Sequence, residues 1–157
     1  MSFALAHNHG AEIYNINTET AKLVGQYSLR IADLCAQVTS HNDHSIFLGW
    51  RSLLKSQVAD VVNHYSTNNW DGEGAAAISV NAASSTTAVI DALPNNIFLP
   101  EVAPDINGSI SLDWNIEKNK IMSLVISEDK IIYAAIVGQK KFHGEVPFTY
   151  ELPKEIE

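Results

Sequence analysis

The chain has 157 residues, 46% hydrophobic and 18% charged, with eighteen acids against ten bases and a formal net charge of -8. That length suits one domain able to bury a real core. The acidic balance argues against general nucleic-acid binding, which needs clustered Lys and Arg; it is compatible with a basic protein partner, with mimicry of nucleic acid, or with solubility alone.

In chain order, Met1-Ser2-Phe3-Ala4-Leu5-Ala6-His7 lacks a basic start and a long apolar run, so it does not read as a signal peptide. No stretch reaches the roughly 18 apolar residues of a membrane span. A cytoplasmic protein is the expectation. Residues 1–17 carry no clear period and read as an arm, with Ile13, Tyr14 and Ile16 available for packing. From Thr18 the pattern changes. Leu23, Val24, Tyr27, Ile31, Leu34, Cys35 and Val38 recur at spacings of three and four, one face of an amphipathic helix. Cys35, the single cysteine, falls on that face; it excludes an internal disulfide and reads as a buried structural thiol.

The polar run Thr39 to His44 ends this helix. A second begins near Ser45 or Trp50 and reaches about Tyr65, with a stripe of Leu54, Val58, Val61 and Tyr65. The short link predicts an antiparallel helical hairpin over residues 18–65. A turn-rich segment follows, Ser66 to Gly74. A third helix spans about Val80 to Leu93, capped by Ser79 and stopped by Pro94, with Val80, Ala83, Thr87, Ile90 and Leu93 sharing a face. Its middle, Ser84-Ser85-Thr86-Thr87, has poor helix propensity and needs tertiary support.

After Pro94 the period switches to two. Ile110, Leu112 and Trp114 alternate with Ser109, Ser111 and Asp113; Lys120 to Ser127 and Lys130 to Val137 follow, joined by Glu128-Asp129. The run Ile131 to Val137 is apolar on both faces, which places it centrally. Phe142 to Tyr150 adds a fourth strand, restricted to an edge by Pro147. Residues 151–157 form an acidic tail. The expectation is a single α+β domain over 1–157: the helical hairpin, then turn and helix at 66–94, then a three- to four-stranded antiparallel meander at 95–150 with helices on one face.

Two segments stand out within this plan: Asn69-Trp70-Asp71-Gly72-Glu73-Gly74-Ala75, and Pro104-Asp105 with Gly108-Ser109-Ile110-Ser111-Leu112-Asp113-Trp114. Gly reaches positive φ, and Asp and Asn fold back on their own backbone, so these are specified turns. The pair resembles a group of small uncharacterised bacterial and phage-associated proteins, in which a Trp-Asp-Gly-x-Gly-Ala turn precedes a helix and a Gly-x-Ile-x-Leu-x-Trp strand opens a sheet. The resemblance covers roughly residues 66–137. It implies an α+β fold and supplies no catalytic residues.

Candidate chemistry is sparse. Asp71, Glu73, Asp105 and Asp113, with a histidine, are the carboxylates that a small metal-dependent hydrolase would use; the plainer reading is that Asp71 braces its own turn and Asp113 points outward from a strand. His7 with His9, and His41 with His44, have metal-like spacings but lack the rest of a zinc motif. His64 reads as packing or capping, and His143 as a base with no assignable nucleophile. The chain has no P-loop, dinucleotide fingerprint or nucleophile elbow. Lys140-Lys141 beside Phe142 is the one basic-aromatic pair of the sheet half, and reads as a solvated edge.

These readings favour a non-enzymatic protein-binding domain with no cofactor, of the kind acidic inhibitors, antitoxins, immunity or anti-defence proteins represent. The expected partner is another protein, basic in charge. Neither direct nucleic-acid contact nor a membrane is expected. The contact surface falls to the helical N-terminal half or to the turn, where Trp70, Asp71, Gly72 and Glu73 are the candidate partner-binding residues. Trp70 has two readings, an exposed partner contact or a ring folded over to lock the loop, and burial favours the second. A symmetric homodimer through the helical hairpin is the expected self-association. The alternatives are the hydrolase above and a structural or assembly subunit. Convergence of the carboxylates in one cleft separates the hydrolase from the rest.

Overall fold

The computed structural model describes residues 2–5, 14–17, 28–39, 49–95 and 97–148. Strands β1 (Ser2–Leu5) and β2 (Tyr14–Asn17) pair antiparallel, with Phe3 opposite Ile16, in the segment read as an arm. Helices α1 (Ser28–Thr39), α2 (Trp50–His64) and α3 (Val80–Ala92) follow. Then come β3 (Glu101–Pro104), β4 (Ile110–Glu117), β5 (Lys120–Ile126), β6 (Lys130–Val137) and β7 (Lys140–Pro147). These five form one antiparallel sheet whose strand order is their chain order. The class is α+β.

Alternation along the strands puts one residue set on each face. Register aligns Leu112 with Leu124 and Leu124 with Tyr133. The inner face therefore carries Ile110, Leu112 and Trp114, then Met122, Leu124 and Ile126, then Ile131, Tyr133 and Ala135, none more than 4% exposed. Burying each large side chain stabilises by roughly 1.5–3 kcal/mol. The Trp114 indole N–H donates to the Phe98 carbonyl at 2.8 Å, so its burial leaves no orphan donor. Gly144 lies opposite Tyr133, and a Cβ there would come within 2.7 Å of the phenol ring. The glycine makes room for the tyrosine.

Helix α1 lays Ile31, Leu34, Cys35 and Val38 on this face. The Cys35 thiol donates to the Met122 sulfur at 3.6 Å, and complete burial pushes its pKa up to about 12. The thiol stays protonated, as a structural cysteine does.

Three expectations need correction. The helical hairpin is not formed as predicted: α1 packs on β4, β5 and β6, while α2 takes α3 as its helical neighbour and also touches β3. The competing partner arrives later in the chain. Arg51 of α2 stacks on Trp50, 4.1 Å from the ring centroid, and donates to the Leu93 carbonyl and to Asn95 Oδ1 at the end of α3. Lys55 pairs with Asp91 at 2.6 Å. Second, the sheet has five strands. β3 is four residues long and ends in Pro104, too short to show a period. Third, the buried side of α3 is Ala82, Ser85, Thr86, Val89 and Ile90, whereas Val80 is 70% exposed. A helix held between α2 and the sheet is buried over a wide arc. Its hydroxyls are satisfied inside: Thr86 Oγ1 donates to the Ala82 carbonyl at 2.8 Å and Ser85 Oγ to that of Glu128 at 3.4 Å. Tertiary packing supplies what propensity withholds.

Candidate functional site

The two motif segments lie against each other. In the first, Asn69 takes positive φ at 63° and its Oδ1 accepts from the Gly74 amide at 2.7 Å. Asp71 Oδ1 accepts from the amides of Glu73 at 2.8 Å and Ala75 at 3.0 Å. These backbone donors, that of Ala75 first, hold the Asp71 carboxyl below the usual carboxylate range. Gly72 and Gly74 supply the other positive φ values, 79° and 102°. The Trp70 indole N–H donates to the Ala76 carbonyl at 2.9 Å, and its ring meets Tyr65 edge-on at 4.7 Å. The half-buried ring holds the loop to the end of α2.

In the second segment Asp105 to Ser109 closes the β3–β4 hairpin. The Gly108 amide donates to the Asp105 carbonyl at 3.0 Å, and Asp105 Oδ2 accepts from the Asn107 amide at 3.1 Å. The two segments are then stitched backbone to backbone: Ala76 N–H to the Ile106 carbonyl at 2.8 Å, and Ser79 N–H to the Gly108 carbonyl at 2.9 Å. A Cβ on Gly108 would stand 2.7 Å from the Ala77 oxygen. Ser79 then caps α3, its hydroxyl accepting from the amides of Asn81 and Ala82 at 3.2 and 3.3 Å. One unit thus connects the loop, the hairpin and the helix start.

The carboxylates of the hydrolase reading have separate employments. Asp71 and Asp105 each brace their own turn. Asp113 points from the outer face of the sheet and accepts from Ser111 at 2.7 Å and Ser123 at 2.5 Å. Glu73 is exposed. Among the described residues no group of three or more His, Cys, Asp or Glu is placed to hold a metal. His64 is exposed and bonds the Asp60 carbonyl at 2.8 Å, and His143 is exposed on β7. His7, His9, His41 and His44 lie outside the described residues.

What the meander brings together is charge. The β3–β4 and β5–β6 turns share one end of the sheet, and the stitched loop joins them there. Asp71, Glu73, Asp105, Glu128 and Asp129 all belong to this end. Lys118, Lys120, Lys140 and Lys141 belong to the β4–β5 and β6–β7 turns at the opposite end. Two apolar side chains stand exposed at the acidic end, Ile106 at 59% and Val80 at 70%. A cleft of about 390 Å³ opens at this end, lined by Ser79, Ala82, Asn107, Gly108, Ser109, Ser127, Glu128 and Asp129. Ser109 is only 7% exposed. Sequence reading missed Glu128 and Asp129 as site residues because they fill a tight hairpin turn, which explains them without function.

No protein-family model, curated protein or solved structure matches the chain. No described helix is long and apolar enough to cross a membrane.

Proposed function

We propose that this chain is a non-enzymatic protein-binding domain that engages a basic partner through the acidic end of its sheet, in the manner of an acidic inhibitor, antitoxin, immunity or anti-defence protein. The resemblance of its two motif segments to phage-associated proteins supports a mobile-element setting. The observation that carries the reading is the gathering of carboxylates at one end, with Glu128 and Asp129 lining the cleft and Asp71, Glu73 and Asp105 on the neighbouring turns, while Lys118, Lys120, Lys140 and Lys141 lie at the far end and Lys130, at the acidic end, is paired with Glu145. An exposed cluster of one sign steers an oppositely charged partner and speeds its association. The exposed Ile106 and Val80 add apolar contact beside it.

The cleft suits a partner's Arg or Lys side chain. Glu128 and Asp129 offer carboxylates at its rim, and the Ser109 hydroxyl and Asn107 add polar groups to its lining. Trp70, Asp71 and Gly72 serve by shaping the loop that presents Glu73. The test is capture of partners from host lysate at rising salt. A stoichiometric basic protein, released as salt rises and lost by Glu128→Lys, supports the reading; retention of that protein by Glu128→Lys at every salt concentration overturns it.

A further inference from the structure

The sheet ends in β3 on one side and β7 on the other, and the two edges differ. β3 is four residues long, finishes in Pro104 and has α2 against it. β7 is eight residues long, and among the described residues no strand pairs with its far side. Such an edge offers a row of N–H and C=O groups to a further strand. The register says which groups face out. Pro147 stands opposite Lys130, and one residue on, the Phe148 N–H donates to the Asp129 carbonyl at 2.6 Å. Bonded and non-bonded pairs alternate along an antiparallel ladder. Phe142, Gly144 and Val146 therefore turn their backbone groups toward β6, while Lys141, His143, Glu145 and Pro147 turn theirs outward. Proline, with no N–H to offer, holds an outward position at the end of the strand.

Lys141, His143 and Glu145 are exposed and share the outer face, since Phe142 and Val146 point to the core. Base, imidazole and acid in that order are complementary to their own reversal. About an axis at His143, Lys141 stands opposite Glu145 of a second β7, and Glu145 opposite Lys141. Both pairs fall at bonded positions, and Pro147 lies beyond them. Other registers of the same strand lose one feature or the other. An axis at Lys141 or Glu145 sets like charge on like. One at Phe142 sets Lys141 on His143. One at Gly144 sets His143 on Glu145 but aims the Pro147 ring at the Lys141 carbonyl, where a donor is needed. An edge lysine ordinarily repels strand addition. Here the chain's own strand brings the carboxylate that satisfies it.

We infer that β7 pairs antiparallel with β7 of a second copy, about a two-fold axis at His143 normal to the sheet, and joins the two sheets into one. Lys141 with Glu145, His143 with His143 and Glu145 with Lys141 each close two main-chain bonds across the axis. Glu145 already holds Lys130 at 3.2 Å on the same face, so its carboxylate lies between two cations in the dimer. On the inner face Phe142 comes opposite Gly144 of the second copy, an aromatic ring set over a glycine. The wider charge pattern agrees. Because the strands run opposite ways, the Glu128–Asp129 turn of each copy comes beside the Lys140–Lys141 turn of the other. α1 packs on β4, β5 and β6, which leaves the flank of β7 to the second copy. Main-chain bonds supply the affinity of strand addition and the facing side chains its specificity. The contact is narrower than a standard interface, so the dissociation constant is on the order of 50 micromolar.

Sedimentation and amide hydrogen exchange of the full chain test this, at pH 8 where an ordinary imidazole is uncharged. The expected result is a monomer–dimer equilibrium in which exchange of the Lys141, His143 and Glu145 amides slows about threefold between about 20 and 500 micromolar. The Phe142 and Gly144 amides, bonded to β6 in either state, should change little. Lys141→Glu and Glu145→Lys each set like charges opposite one another twice. Each variant, native by circular dichroism, should dimerise at least tenfold more weakly. Mixing the two restores both opposite-charge pairs, as does combining them in one chain, and either should bring association back to within threefold of native. A chain monomeric at several hundred micromolar overturns the inference. So does a dimer whose three outward amides stay unprotected, or a mixture that associates no better than its components. Protection that appears only when the partner captured at the acidic end is added gives the edge to that partner, and overturns it as well.

Discussion

Gly72 and Gly108 have nearly the same backbone angle, φ 79° and 81°, and different surroundings. A Cβ on Gly72 meets nothing within 4 Å, whereas one on Gly108 meets the Ala77 oxygen at 2.7 Å. The pair separates backbone strain from the stitch between the motif segments. Gly72→Ala carries the left-handed penalty alone, about 1–2 kcal/mol. Gly108→Ala carries the same penalty and must also push the Ala77 carbonyl away. That movement parts Ser79 N–H from Gly108 O and Ala76 N–H from Ile106 O. Two backbone bonds at about 1 kcal/mol each bring the total to about 3–4 kcal/mol. The difference, about 2 kcal/mol, is on the order of 4–8 °C in Tm for a chain of this size. Urea titration of both variants, followed by tryptophan fluorescence, measures it. Equal losses would show that the two segments do not support each other, and the account of the motif would be wrong.

Further outcomes follow from the same geometry. Trp70→Phe keeps an aromatic ring against Tyr65 but removes the donor to Ala76 O, and should cost about 1 kcal/mol in the same titration; no loss would mean the indole bond is idle. The folded pKa of Asp71 is depressed, so its contribution is present above the unfolded carboxylate value of about 3.9 and fades as pH falls through the folded value. The stability gap between the native chain and Asp71→Asn should therefore narrow between pH 7 and acid, and a constant gap contradicts the assignment. Cys35 should react with a thiol reagent only as fast as the native fold opens; rapid labelling of native protein would place it elsewhere.

Most of the architecture was legible where period and punctuation agreed. The Leu54, Val58 and Val61 stripe, the Ser79 cap and the alternation of Ile110, Leu112 and Trp114 each gave one answer, and helices followed by an antiparallel sheet followed from them. Pairing between helices was not legible. The stripe of α2 says that it is buried, not that α3 rather than α1 buries it. The wide burial of α3 was hidden because Ser85 and Thr86 are polar in sequence and satisfied only by the Ala82 and Glu128 carbonyls in space. Strand β3 carries too few residues for a period to emerge.

The candidate site was half legible. Asp71 and Gly72 read correctly as turn-makers, and Trp70 as the ring that locks the loop. The gathering of Glu73, Asp105, Glu128 and Asp129 at one end depends on which turns the meander superposes, a property of strand order that no local spacing carries.

The central claim is that the acidic end is the binding surface, and charge placement tests it most directly. Glu73 and Glu128 are exposed, so Glu73→Lys with Glu128→Lys changes charge at the surface and leaves the core untouched. Asp60→Lys with Glu117→Lys makes the same net change on α2 and at the opposite end of the sheet. Affinity for the captured partner, measured for both double variants, should fall at least a hundredfold for the first and remain within a few-fold of native for the second. Equal losses would reduce the acidic end to bulk charge, and an unaffected first variant would remove it as the site.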